Sequence, residues 1–126
     1  MAVDWLVQAS GAMFSTIKPA GCTFVFGVFV TEQDGKPVQG LAESSFSVWE
    51  LTTIEEISVT MATEVNTVFP ASKMPGIYRI QTIPFLTLQS PAPQEFVFAI
   101  RVGFKRGKAA FQGMTTVPVT YLGDAQ

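Results

Sequence analysis

Between Cys22 and Thr31 the chain reads CTFVFGVFVT, with apolar side chains at odd and even positions alike. Aromatic and β-branched residues without polar alternation predict a buried strand, and the turn signal Gln33-Asp34-Gly35-Lys36-Pro37 ends it. A second long strand, Glu95 to Phe104, alternates: Phe96, Phe98, Ile100, Val102 and Phe104 fall on one face and Val97, Ala99 and Arg101 on the other. It stops at Lys105-Arg106-Gly107-Lys108, where a hairpin is expected. Further strands are predicted weakly at Met13 to Ile17, then at Ser45 to Thr52, Ile57 to Ala62, Ile77 to Ile83 and Ala109 to Tyr121, the last interrupted near Gly113 or Pro118. Ile57, Val59 and Met61 alternate with Ser58 and Thr60 and should face the core.

The separators are rich in Gly and Pro, as at Lys18-Pro19-Ala20-Gly21, Pro70 to Gly76 and Gln89 to Pro93. No useful length of helical periodicity intervenes. About seven short strands with turns between them predict an all-β, antiparallel sandwich in one domain over residues 1 to 126, with residues 1 to 20 as an N-terminal arm.

One set of motifs narrows this. Val28-Phe29-Val30-Thr31 precedes Asp34-Gly35-Lys36-Pro37-Val38-Gln39-Gly40-Leu41, then Phe46-Ser47-Val48, and later Pro75-Gly76-Ile77-Tyr78-Arg79-Ile80. The series resembles immunoglobulin-like sandwich repeats, including filamin-type and bacterial Ig-like domains, over roughly residues 22 to 105. The resemblance implies an immunoglobulin-like sandwich, with the Asp34 to Val38 segment as the turn and bulge after an inner strand. It also makes Tyr78 similar to a tyrosine corner, whose hydroxyl bonds to backbone. The paired inter-sheet cysteines of antibody domains are absent, and the loop from Val65 to Met74 is longer than a minimal turn.

Composition changes the picture in two places. At 126 residues the chain can bury about two thirds of its unfolded surface without staples. The lone Cys22 permits no intrachain disulfide and, at the mouth of the most apolar strand, reads as a buried small hydrophobe. Charged residues are only 14% of the chain, hydrophobic residues 48%, and the net charge is −2. An acidic balance gives nucleic acid no general attraction, and a surface short of charge points to a protein partner or self-association. No run approaches the length of a membrane-spanning helix. Asp4, with no Lys or Arg before Lys18, is unlike a signal peptide, so the chain is read as mature from residue 1 and as cytoplasmic or assembly-associated.

The chain has no histidine, which removes the usual general base and the commonest ligand for zinc or copper. Glu55 and Glu56 would point to opposite faces of an extended chain, and the other carboxylates stand singly near turns, Asp34 among them. No phosphate-cradling glycine motif occurs. These patterns predict no catalytic residues, no cofactor and no metal. Candidate contact residues are Trp5 and Leu6 in the apolar opening, Val25 and Phe29 on the surplus apolar face of the Cys22 to Thr31 strand, and Lys105, Arg106 and Lys108 at the hairpin tip. Trp49 reads as a core or semi-buried residue. Either the Trp5 segment or a second subunit should cover Val25 and Phe29. The expectation is a non-enzymatic structural or protein-interaction module, as in a phage, secretion or surface assembly. Its alternative is a domain that binds carbohydrate or a small hydrophobic ligand.

Overall fold

The computed structural model describes residues 2–15, 22–51, 55–61, 73–82 and 94–121. Every regular element among them is a strand, apart from one short 3-10 turn at Glu43–Ser45. In chain order these are β1 (Ala2–Asp4), β2 (Leu6–Ser15), β3 (Cys22–Thr31), β4 (Phe46–Glu50), β5 (Glu55–Ile57), β6 (Val59–Met61), β7 (Ile77–Thr82), β8 (Gln94–Arg106) and β9 (Ala109–Tyr121). They form two sheets, one in the order β1-β9-β8-β4-β5 and one in the order β2-β3-β7-β6. All pairings are antiparallel except β1 with β9.

The alternation of side chains sorts the residues between core and surface. On β3, Phe24, Phe26, Val28 and Val30 are wholly buried, while Val25 and Phe29 point the other way and are half-buried. From the facing sheet, Phe98, Ile100 and Val102 of β8 are also wholly buried, with Val48 of β4 and Val117 and Val119 of β9 beside them. Phe98 meets Phe24 and Phe26 at ring-centroid distances of 4.6 and 5.2 Å, the tilted and edge-on geometries that aromatic quadrupoles favour. Each such side chain contributes about 1.5–3 kcal/mol by leaving water, so this interface between the sheets holds the molecule together. The backbone N–H of Phe24 donates to Thr82 Oγ1 at 3.0 Å, which satisfies a buried polar side chain.

Three elements differ from the expectation. The segment read as an N-terminal arm forms β1 and β2. It lies beside β9 and β3 in the plane of the sheets, so it does not cover Val25 and Phe29. Trp5 is where the chain passes from one sheet to the other: its N–H donates to Gln112 O at 2.7 Å, and Gly113 leaves the space that Trp5 O and Val7 occupy. The strand expected from Ile57 to Ala62 is divided at Ser58, β5 belonging to one sheet and β6 to the other. Ile57, Val59 and Met61 nevertheless all pack on the core. Lastly, β9 continues through Pro118. Proline lacks an N–H, but here, among the described residues, β9 pairs with β8 alone, because β1 pairs no further than Gln112.

The side chain of Cys22 and the Val65 to Ser72 part of the long loop lie outside the described residues.

Candidate functional site

The sequence candidates separate into two places. At one end of the molecule, the loop after β3 and the β8–β9 hairpin enclose an open cleft of about 330 Å³ lined by Trp5, Glu32, Lys36, Pro37 to Leu41, Phe104, Arg106 and Phe111. Trp5, named from sequence as a contact residue, is 8% exposed and forms part of the wall. Its indole stacks on Phe111 at 5.2 Å and on Phe104 at 6.4 Å. Leu6, the next residue, is 46% exposed and does not line the cleft.

The hairpin brings the other cleft residues together. Arg106 pairs with Ala109 across the two-residue turn Gly107-Lys108, and Gly107 takes φ 59°, the positive value that the tight hairpin turns, types I′ and II′ alike, require of their first residue. That register sets Phe104 directly opposite Phe111. Arg106 lies with Cζ 5.7 Å from the Phe104 ring centroid, while Lys105 and Lys108 are exposed at the same tip.

The opposite wall is fixed by hydrogen bonds. Glu32 N–H donates to Lys36 O, Lys36 N–H to Asp34 Oδ1, and Val38 N–H to Val30 O, all at 2.8–3.0 Å. Asp34 therefore serves the turn itself. Gln33 Nε2 donates to Asp4 O, which ties this loop to β1. Tyr78 spans from β7: its hydroxyl donates to Val38 O at 2.7 Å and accepts from Leu41 N–H at 3.2 Å. The expected bond from Tyr78 to backbone is present, but its place differs from that of a tyrosine corner. It reaches some forty residues upstream to the connection between β3 and β4, rather than a few residues upstream.

Val25 and Phe29 sit elsewhere, on the outer face of the four-stranded sheet. There Gly27 leaves a shallow depression of about 400 Å³, bordered by Gln8, Ser10, Phe29, Ile77 and Arg79. The cross-strand pairs on this face, Gln8 with Phe29, Ser10 with Gly27, Ala12 with Val25, Val25 with Gln81 and Phe29 with Ile77, contain no charge. Arg79, opposite Gly27, is the one charged residue that β2, β3, β6 and β7 put on it among the described residues. Trp49 is half-buried on the other outer face, between Glu56 and Ala99.

Sequence analysis missed Phe104, Phe111 and Lys36 as cleft residues. Phe104 read as an alternating core position and Phe111 only as part of the Ala109 to Tyr121 strand, and the hairpin register is what brings them together at the end of the sheet. Among the described residues, no three Cys, Asp or Glu side chains gather as a metal site would need, and no helix is long and apolar enough to cross a membrane. No family model matches the chain, and no curated protein or solved structure matches it significantly.

Proposed function

We propose that this chain is a non-enzymatic, immunoglobulin-like module that works by protein–protein contact, as a subunit of a larger assembly such as a phage particle, a secretion apparatus or a surface structure. The immunoglobulin-like part is supported by strand order. Taking β2, β3, β4, β6, β7, β8 and β9 as strands A to G, one sheet reads A-B-E-D and the other G-F-C, with β5 as a C′ strand beside C. The parallel pairing of β1 with β9 is an addition to that plan.

The contact role is carried by one observation, the neutral outer face of the four-stranded sheet. Globular domains of this size ordinarily clothe an outer sheet face in charge, which keeps it in water and out of contact with other chains. Here Phe29 and Ile77 border the depression at Gly27 and Val25 lies further along the same face, with Arg79 the single charge among the described residues. A face of this kind is suited to lie against protein, and a second copy is the simplest occupant. Sedimentation velocity over a range of concentrations tests it. The parent chain self-associates and Phe29→Asp lowers the oligomeric state, because a carboxylate would be desolvated in the contact. A monodisperse monomer for both proteins at every concentration would overturn the reading.

A second reading, a ligand-binding domain, is favoured by the aromatic cleft. Its volume falls at the lower end of the range for small-molecule sites, and its walls are held by hydrogen bonds before any ligand arrives.

A further inference from the structure

We propose that the end cleft binds a carboxylate carried on an apolar, preferably aromatic, body. Arg106 takes the carboxylate, and Phe104 and Phe111 take the apolar part. The proposal deepens the ligand-binding reading and rests on it, not on the assembly reading.

The arrangement of Arg106 carries the inference. Its guanidinium carbon lies over the Phe104 ring, 5.7 Å from the centroid, so the cation rests against an aromatic face and not against a carboxylate. A cation–π contact needs no acceptor atom, so it leaves the five N–H donors of the fork unspent. The contact also favours positions of the long side chain at the cleft mouth, lowering the entropy lost when a ligand is bound. No ion pair involving Arg106 occurs among the described residues, although Glu32 lines the same cleft. The fork is therefore available for a planar, bidentate acceptor, and a carboxylate has that shape.

The remaining lining fits the rest of such a molecule. Phe104 and Phe111 are half-buried, so each keeps ring surface toward the cleft, while the nearly buried Trp5 backs them. Lys36 on the facing loop adds a second positive charge, and Lys105 and Lys108 make the approach positive. A neutral sugar would find polar partners in Glu32, Lys36, Gln39 and Arg106 but no large ring exposed for it to lie on. It needs several directional hydrogen-bond partners of both kinds around an exposed aromatic platform, whereas Trp5, the largest ring here, is turned inward. An apolar molecule without charge would leave two cations facing empty solvent at the mouth and gain nothing from them.

A carboxylate on an aromatic body has two sources, a small organic acid or the free C-terminus of a peptide ending in an aromatic residue. Titration of the ¹⁵N-labelled protein followed by amide chemical shifts separates them. The probes are 3-phenylpropanoate, acetyl-Gly-Gly-Phe with a free C-terminus, and the same peptide as its amide. Both acids should shift the amides of Lys36, Val38, Phe104 and Phe111 saturably and leave Gly27 and Phe29 unmoved. Tighter binding of the tripeptide assigns the cleft to chain termini, and equal or tighter binding of phenylpropanoate assigns it to small acids. The C-terminal amide should bind at least about tenfold more weakly than the acid, and Arg106→Met should weaken both acids by a similar factor, as loss of a charge-assisted hydrogen bond predicts. Raising the salt concentration should weaken the acids and not the amide. Arg106 is exposed, so its replacement leaves the fold intact, which the unshifted remainder of the spectrum verifies. Absence of shifts at the cleft for both acids, or binding that is the same for acid and amide, or the same in Arg106→Met, overturns the proposal. None of these outcomes depends on whether the protein self-associates through the Gly27 face.

Discussion

The two faces of β3 have nearly the same chemistry and very different surroundings. Phe24, Phe26, Val28 and Val30 are wholly buried between the sheets, whereas Val25 and Phe29, one residue along, are half-buried on an outer face. Both faces are apolar by composition, so hydrophobicity alone does not say which one the fold encloses. What decides is the neighbour across from each. The even-numbered side chains meet Phe96 and Phe98 of the opposite sheet, and the odd-numbered ones are flanked only by their own sheet, with Gln8 and Ile77 on either side of Phe29. An apolar residue with neighbours beside it and none above it is what an unoccupied contact face consists of.

The largest test of this difference is a pair of truncations on the same strand. Phe26→Ala removes a ring packed on Phe98 and should cost about 4 kcal/mol of unfolding free energy. Phe29→Ala, the same chemical change, should cost about 1 kcal/mol in the monomer, because only part of that ring leaves water on folding. Chemical denaturation of both variants measures the gap. Equal costs would mean that the outer face is as tightly packed as the core, and the distinction would fail.

Glycines extend the comparison to the inner side. A Cβ on Gly11 would stand 2.8 Å from Phe26 Cδ1 and 3.0 Å from Val119 Cγ2, distances that well-packed side chains do not permit. Gly11 thus lets β2 come close to both β3 and β9. Gly11→Ala should destabilise by about 2 kcal/mol through overpacking, a loss visible as a lower denaturant midpoint at unchanged slope. Next in size is Tyr78, which reaches from β7 to the wall of the cleft. Tyr78→Phe keeps the ring tilted against Phe46 and removes one donor and one acceptor, so it should cost about 1 kcal/mol. It should also broaden or shift the amide signals of Val38 and Leu41, since the loop loses its tie.

Much of the strand layout was legible because alternation is a local property. The inward set on β8, the buried set on β3 and the turn at Asp34-Gly35 follow from adjacent residues alone. What was not legible depends on partners far along the chain. The passage of the chain between sheets at Trp5 is decided by space at Gly113, more than a hundred residues away, and the division at Ser58 carries no Gly or Pro to mark it. The cleft was half visible. Trp5, Arg106 and the basic hairpin tip stood out as individual residues, but their convergence requires the register that pairs Phe104 with Phe111 and the Tyr78 bond to the loop after β3. The Trp5 segment was one of two expected covers for Val25 and Phe29, a second subunit being the other, yet β2 lies beside β3 and leaves that face open.

The smallest predicted effect is at Gly27, and it separates packing from contact. A Cβ built there meets only Ser10 Oγ, at 3.7 Å, an ordinary van der Waals distance, in clear contrast to Gly11 on the neighbouring strand. Glycine inside a strand is disfavoured by the conformational freedom it surrenders on folding, so Gly27→Ala should stabilise the monomer by about 0.5 kcal/mol. The same methyl group would fill the floor of the depression between Gln8, Phe29, Ile77 and Arg79. If a second copy seats a side chain there, Gly27→Ala must weaken association while raising the unfolding midpoint, two changes of opposite sense from a single methyl. Thermal unfolding at low protein concentration reads the midpoint, and sedimentation at high concentration reads the association. A variant that is both more stable and unchanged in its association would show that the depression is not the point of contact, and the neutral face would have to work through the rings at its border instead.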